Sequence, residues 1–233
     1  ADILLGIRFQ LDLYINFRPC RLYDARLCPL KGKSPADIDF TIFRENTEGS
    51  YVGIGGFLKK GTPDEVAIQE EINTYKGVER ICRAAFEWAV ANGKKKVLMA
   101  DKSNVMRYGY DLWQRVFFGL AKEFPSIAAS HMFVDALCMQ MVRAPEQFEV
   151  IVSNNMFGDI LSDESAALAG SIGVLPSASL GTGPGLYEPI HGAAPDIAGK
   201  GIANPIGQIW SGAMMLEHLG HPEAAADIVK AIE

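Results

Sequence analysis

Polar and apolar positions along the chain fall into short β-rich runs alternating with longer amphipathic stretches, the pattern of an α/β fold. Residues 37–43 (DIDFTIF) alternate polar and apolar side chains and predict a strand with Arg44 at its end. From Asn46 to Thr74, glycines at 49, 53, 55, 56 and 61 interrupt β-formers, which predicts a β arm over about 46–74. Val78, Ile81, Cys82, Ala85, Phe86 and Ala89 recur at helical spacing, and Gly93 closes that helix. Residues 96–100 (KVLMA) read as a short buried strand followed by the polar run Asp101-Lys102-Ser103-Asn104, and residues 110–124 as a helix stopped by Pro125. Two more strands, 130–134 and 148–153, are each expected to feed a helix that opens with acids, Asp135 in one case, Asp159 and Asp163 in the other. Polar groups therefore gather beyond the carboxyl ends of strands, the edge at which open α/β sheets bind ligands. From Gly170 to Pro205 the chain is rich in Gly, Pro and Ser with only isolated apolar residues. Two helices, roughly 205–218 and 222–232, finish it. A boundary near Gly170 is expected.

Composition narrows the function. With 48% hydrophobic and 21% charged residues in 233, the chain can bury a substantial core. A net charge of -6 with basic residues scattered among acids offers no basic face for a phosphate backbone, so no nucleic-acid partner is expected. Cys20, Cys28, Cys82 and Cys138 form no CxxC pair and fit reduced thiols in a cytosol-like compartment. The longest charge-free run, 165–187, is broken by glycines and prolines, so no membrane segment is expected. No signal peptide is visible; since the sequence starts at Ala1 without an initiator Met, that carries little weight.

Three sets of residues carry candidate chemistry. Asp159 and Asp163 lie four apart in GDILSDES, so on a helix both carboxylates share a face and can reach one hard cation, with Asp135 a third acid from another strand end. The plain alternative is that acids favour the first turn of a helix. Arg8, Arg18 and Arg44 supply the planar donor forks that a substrate with two carboxylates requires, against the alternative of local surface ion pairs. Lys102, just past a buried strand, and Tyr51 are candidates for proton transfer. Neither VGIGGF (52–57) nor GTGPG (181–185) completes GxGxxG, so the ordinary dinucleotide fingerprint is absent. Residues 188–200 instead offer small residues that permit close backbone approach, followed by Asp196, an acid able to accept from ribose hydroxyls.

RENTEGSYVG (44–53), ADKSN (100–104), NNMFGDILSDE (154–164) and EPIHGAAPDIAGKGIANP (188–205) resemble, in order, the signature blocks of the isocitrate/isopropylmalate dehydrogenases, the β-decarboxylating dehydrogenases. The resemblance runs from about Leu4 almost to the C-terminus. It implies a non-Rossmann α/β fold with a mixed sheet flanked by helices, incomplete at both ends, since members carry a further N-terminal segment and a C-terminal tail. Residues 1–13 and 170–233 would belong to a cofactor-binding domain and 14–169 to a substrate, metal and dimerisation domain. The resemblance further implies that Arg8, Arg18 and Arg44 hold substrate carboxylates and that Asp135, Asp159 and Asp163 bind Mg²⁺ or Mn²⁺. Lys102 would serve in proton abstraction and Tyr51 in protonating the enolate once carbon dioxide has left. Glu188, His191, Gly192, Ala194, Pro195, Asp196, Ile197 and Asn204 would contact NAD. Asp196 favours NAD because a carboxylate there repels the 2′-phosphate of NADP. Lys102 and Asp135 would cross a dimer interface, so a homodimer would share its sites, with the arm helping to build it.

The implied reaction is the NAD-dependent oxidative decarboxylation of a 2-hydroxy dicarboxylic acid in the cytoplasm, or in an organelle matrix if a transit peptide preceded the sequence. GVLPSASLG (173–181) and APDIAGKGIANP (194–205) most resemble isopropylmalate dehydrogenases, which implies 3-isopropylmalate and leucine biosynthesis, with Leu4 and Leu5 lining an apolar pocket; Asp2 would repel the extra carboxylate of isocitrate. RENTEGSYVG is closer to tartrate, D-malate and isocitrate or homoisocitrate enzymes. From other classes, a non-catalytic subunit or truncated remnant would keep the fold without turnover, and a metal-dependent phosphohydrolase on the Asp pair would leave the arginine trio unexplained.

Overall fold

The computed structural model describes residues 2–233, Asp2 by its backbone only, so the expectation resting on the Asp2 side chain lies outside the described residues. The chain opens with helix α1 (Asp2–Gln10) and strand β1 (Ile15–Arg21), then β2 (Asp39–Glu45), β3 (Gly55–Leu58) and β4 (Val66–Gln69). Helix α2 (Tyr75–Ala91), β5 (Lys96–Asp101), α3 (Arg107–Ala121), β6 (Ala128–Phe133), α4 (Val134–Arg143), β7 (Val150–Ser153) and α5 (Asn155–Leu168) follow in strict alternation. Strands β8 (Pro176–Leu180) and β9 (Leu186–Pro189) precede α6 (Ile206–His218) and α7 (Pro222–Ile232).

Seven strands form one mixed sheet in the order β6-β5-β7-β2-β1-β8-β9. The first four run parallel, and β2-β1, β1-β8 and β8-β9 are antiparallel. Period-two side-chain direction splits the parallel half between two cores. Val97, Met99, Val150 and Val152 pack with α2 and α3. Leu98, Ala100 and Ile151 face the other way, with Leu137 and Met141 of α4 and Leu161 of α5. Both faces are covered, which is why these strands read as near-continuous apolar runs. In parallel strands all carboxyl ends share one edge, so Arg44, Asp101, Phe133 and Ser153 finish side by side.

The expected arm is the separate hairpin β3-β4, in which Phe57, Leu58, Val66 and Ile68 are each about half exposed. A two-stranded ribbon of this length is not stable alone in water. Two expectations change. Helix α5 does not open with acids: Asn154 caps it by accepting from the Phe157 amide at 2.9 Å, and Asp159 and Asp163 lie in its second and third turns. The Gly, Pro and Ser-rich stretch after Gly170 holds two strands, β8 and β9, that extend the main sheet next to β1. Among the described residues no helix is long and apolar enough to cross a membrane.

Candidate active site

The site begins with the cap of α5. Asn154 leaves buried β7 and donates to the Tyr110 hydroxyl at 2.6 Å, which fixes where the helix starts. From that start Asn155, Asp159 and Ser162 project along one side of α5, spaced by about a turn. Arg44, at the end of β2 and 1% exposed, lies against this side. Its Nε and Nη2 both donate to Asn155 Oδ1, at 3.0 and 2.7 Å, and its Nη1 donates to Asp159 Oδ1. The close fit needs Gly158, where a Cβ would stand 2.7 Å from Arg44 Cβ.

Arg18, on β1 opposite Ile42 of β2, reaches the same carboxylate: its Nη1 donates to Asp159 Oδ1 at 3.1 Å and also to the Ser162 hydroxyl. Tyr51 donates its phenol to Asp159 Oδ2 at 2.8 Å, with the Arg44 guanidinium 5.4 Å from its ring centre. Arg8, one helical turn beyond Leu4 in α1, donates to Glu188 Oε1 of β9 at 3.1 Å. That contact ties Arg8 to the start of the expected cofactor block. The buried Nε of Arg8 and of Arg18 find no acceptor within the described protein, so both guanidiniums keep donor capacity in hand.

The electrostatics follow from this geometry. Burial alone would raise the Asp159 carboxyl, but the Arg44 and Arg18 charges and the Tyr51 hydrogen bond outweigh it and hold the group below the usual carboxylate range. Burial, then the hydrogen bond to Asp159 and its negative charge, push the Tyr51 phenol upward, so it keeps its proton at neutral pH. Asp163, without a cation partner among the described residues, is raised by the partial desolvation of its carboxyl, with the Arg18 charge opposing.

Lys102 and Asp135 form a second group on the same sheet edge. Lys102 sits in the turn after β5, Asp135 in the first turn of α4, and they pair at 2.7 Å. The hydrogen bond from Lys102 holds the Asp135 carboxyl below its ordinary value. Within one chain Asp135 does not join Asp159 and Asp163: no three acidic, His or Cys side chains among the described residues gather around one point. The donor chemistry still suits a hard cation, because two carboxylates one turn apart on α5 offer oxygens only.

Of the expected cofactor residues Glu188 lies on β9, and the others follow in a loop that is half-buried at His191, Ala194 and Ile197 and exposed at Gly192, Pro195 and Asp196. His191 Nδ1 lies 2.9 Å from the Gly192 carbonyl, Ala194 is left-handed (φ +44°), and Pro195–Ile197 make a single 3-10 turn. A Cβ on Gly192 would meet nothing within 4 Å, so the backbone is open to a flat ligand. Asp196 is exposed and has no salt-bridge partner among the described residues. Asn204, also exposed, accepts from the Ile206 amide at 3.0 Å. These residues fit an adenosine half. Sequence reasoning missed Asn155, Gly158 and Ser162, all inside the NNMFGDILSDE block; the Asn doublet before a helical run was the available signal.

The chain is similar to known proteins over its whole length. A family model described as isocitrate/isopropylmalate dehydrogenase matches residues 1–233. The chain is 46% identical to the 3-isopropylmalate dehydrogenase of Thermobifida fusca over 233 residues, covering 99% of this chain and 66% of that protein. It is 48% identical to the decarboxylating D-malate dehydrogenase of Escherichia coli over 221 residues, covering 94% of this chain and 61% of that one. The crystal structure of an isocitrate dehydrogenase from Methylococcus capsulatus superposes with a TM-score of 0.92 at 42% identity, covering 98% of this chain and 66% of that chain. The chain thus spans about two thirds of the length of the relatives it matches.

Proposed function

Because the chain belongs to the isocitrate/isopropylmalate dehydrogenase family, we propose that it catalyses NAD-dependent oxidative decarboxylation of a 2-hydroxy dicarboxylic acid, with 3-isopropylmalate the first candidate. The observation that carries this reading is the convergence of Arg18, Arg44 and Tyr51 on Asp159, with Asp163 one turn further along α5. Such a cluster assembles anion recognition, a protonated acid and a hard-cation platform within one helix length.

In this reading Arg8, Arg18 and Arg44 bind the substrate's carboxylates. The Nη1 donors of Arg18 and Arg44 face one Asp159 oxygen, so a carboxylate arriving beside it meets donors already aimed. Asp159 and Asp163, joined by Asp135 of a second copy, would hold Mg²⁺ or Mn²⁺, which supplies positive charge against the oxygen of the substrate's hydroxyl. The loop from Glu188 to Asn204 would hold NAD, the hydride acceptor. Lys102, released from Asp135 and with its amine uncharged, would take the hydroxyl proton, and the phenol of Tyr51 would return a proton to the carbon that has lost carbon dioxide. Leu4 and Leu5, half-buried a turn before Arg8, would line the pocket for an isopropyl group.

A homodimer with shared sites is part of the reading. The half-exposed apolar residues of β3-β4 and the exposed Met139 and Val142 of α4 and Ile160 of α5 are surfaces that a second copy would cover. It would bring Lys102 and Asp135 together, since the two form an ion pair at 2.7 Å within one chain.

RENTEGSYVG and the 48% identity to a D-malate enzyme favour a second substrate reading, D-malate or tartrate. A panel of 3-isopropylmalate, D-malate, tartrate and isocitrate, followed by NADH absorbance with and without chelator, tests both. Chelator-sensitive NADH from 3-isopropylmalate is the expected result. NADH from D-malate or tartrate alone would move the substrate within the class, and no NADH from any of them would remove the reading.

A further inference from the structure

The buried carboxylate of Asp101 has no place in the chemistry described so far. It ends β5, is 0% exposed, and is the residue immediately before Lys102. Burying a carboxylate costs several kcal/mol unless its oxygens are satisfied. Here they are: Oδ1 accepts from the Ser103 amide at 3.1 Å and lies 2.8 Å from His131 Nε2, and Oδ2 accepts from Gln114 Nε2 at 3.0 Å. Gln114 Nε2 is also 2.8 Å from the Ser103 hydroxyl, which closes the network. Among the described residues His131 is the only ionisable side chain within salt-bridge distance of this acid.

The bond from the Ser103 amide back to the carboxylate two residues earlier is an Asx turn, and Lys102 is its middle residue. Its backbone is therefore clamped on both sides: by the Asx closure before it, and by its own carbonyl, which accepts from the Val105 and Met106 amides at 3.0 and 2.9 Å. His131 on β6 and Gln114 on α3 hold the clamp from two neighbouring elements.

We propose that Asp101, supported by His131 and Gln114, is a positioning residue that fixes the backbone of Lys102 and so aims its amine along the sheet edge toward Asp135. The proposal deepens the proposed function, since the worth of aiming Lys102 rests on that reading. The clamp itself does not.

The test separates the two. In Asp101→Ala the Asx closure is gone, whereas Asp101→Asn keeps an acceptor oxygen for the Ser103 amide. Acetic anhydride labelling of Lys102, read by peptide mass spectrometry, is expected to rise several-fold in Asp101→Ala and to stay near wild type in Asp101→Asn. His131→Ala, which leaves the acceptor but strips its ring partner, should fall between them, and it serves if Asp101→Ala does not fold. Unchanged labelling in the folded variants overturns the inference whatever the activity. With turnover measured, Asp101→Ala should lose kcat by about a hundredfold, the scale of a 1 Å misplacement, with KM for the hydroxy acid nearly unchanged. In a Lys102→Ala background the same change should add little further loss, because the effect runs through the lysine. Independent, multiplying losses would overturn the proposal. A wild-type protein that forms no NADH, but shows the labelling pattern, would remove the proposed function and leave the clamp standing.

Discussion

Gly158→Ala puts the packing of α5 against β2 under a direct test. The added Cβ would stand 2.7 Å from Arg44 Cβ, 2.8 Å from its Cγ and 3.3 Å from its Cα. These are strand-borne atoms of a residue held by Asn155 and Asp159, not the free end of a flexible side chain. The helix must therefore move off the sheet. Overpacking of this kind costs about 1–3 kcal/mol, and the preference of a helix interior for Ala over Gly returns about 1 kcal/mol, leaving a net loss of roughly 0–2 kcal/mol. The catalytic consequence is larger, because α5 carries Asp159 and Asp163 while Arg44 stays on β2. A shift on the order of 1 Å between the two sets should cost about a hundredfold in kcat/KM. Urea denaturation gives the stability change and initial NADH rates the kinetic one. A variant that is more stable by about 1 kcal/mol with unchanged kcat/KM would show that α5 and Arg44 are not in register-critical contact.

Three further outcomes follow from other parts of the site. Tyr51→Phe removes the donor to Asp159 Oδ2 and should lower kcat by about 10²–10⁴-fold while changing unfolding free energy by no more than about 1.5 kcal/mol, measured by kinetics and chemical denaturation in parallel; equal loss in both would mark a purely structural tyrosine. Glu45, buried beside Arg44, is pushed by burial to about 7, against hydrogen bonds from Thr47 and Glu48. A raised folded value contributes stability that is complete below the unfolded value of about 4.5 and lost as pH rises through about 7, up to roughly 3 kcal/mol; denaturation midpoints between pH 5 and 8 should fall in the wild type relative to Glu45→Gln, and parallel curves would contradict the burial argument. Asp196→Lys should shift cofactor preference toward NADP, read as the ratio of kcat/KM values for the two cofactors, and an unmoved ratio would take Asp196 out of the ribose site.

Much of the parallel half of the sheet was legible because hydrophobic periodicity built it. KVLMA and the strand before Asn154 are apolar on both faces, and α2 carries its stripe from Val78 to Ala89 at helical spacing. The antiparallel half was not legible for the opposite reason. Strands β1 and β8 bury polar side chains: Asn16 donates to Ser177 and Ser179 hydroxyls at 2.8 and 3.1 Å, and Asn46 donates to Ser179 at 3.3 Å. A sheet core stitched by Asn and Ser leaves no apolar alternation to read, and the run PSASL resembles loop composition. At the site, spacing revealed Asp159 and Asp163 as a pair because one helix carries both. It could not show that Arg18 and Arg44 meet at Asp159, since that contact depends on strand register between β1 and β2. Asn155 and Asp101 went unmarked because an amide or acid that orients another residue has no spacing signature of its own.

The claim on which the account rests is that one reaction centre draws Asp159 and Asp163 from one copy of the chain and Lys102 and Asp135 from another. Mixing Lys102→Ala with Asp159→Asn after joint unfolding and refolding tests it, since each variant alone should keep only a small residual rate. Randomly assorted dimers should recover about a quarter of the wild-type rate of NADH formation, because half are mixed and each mixed dimer has one intact centre of two. A mixture as inactive as its parents, with mixed dimers present by mass, would contradict a centre shared between copies.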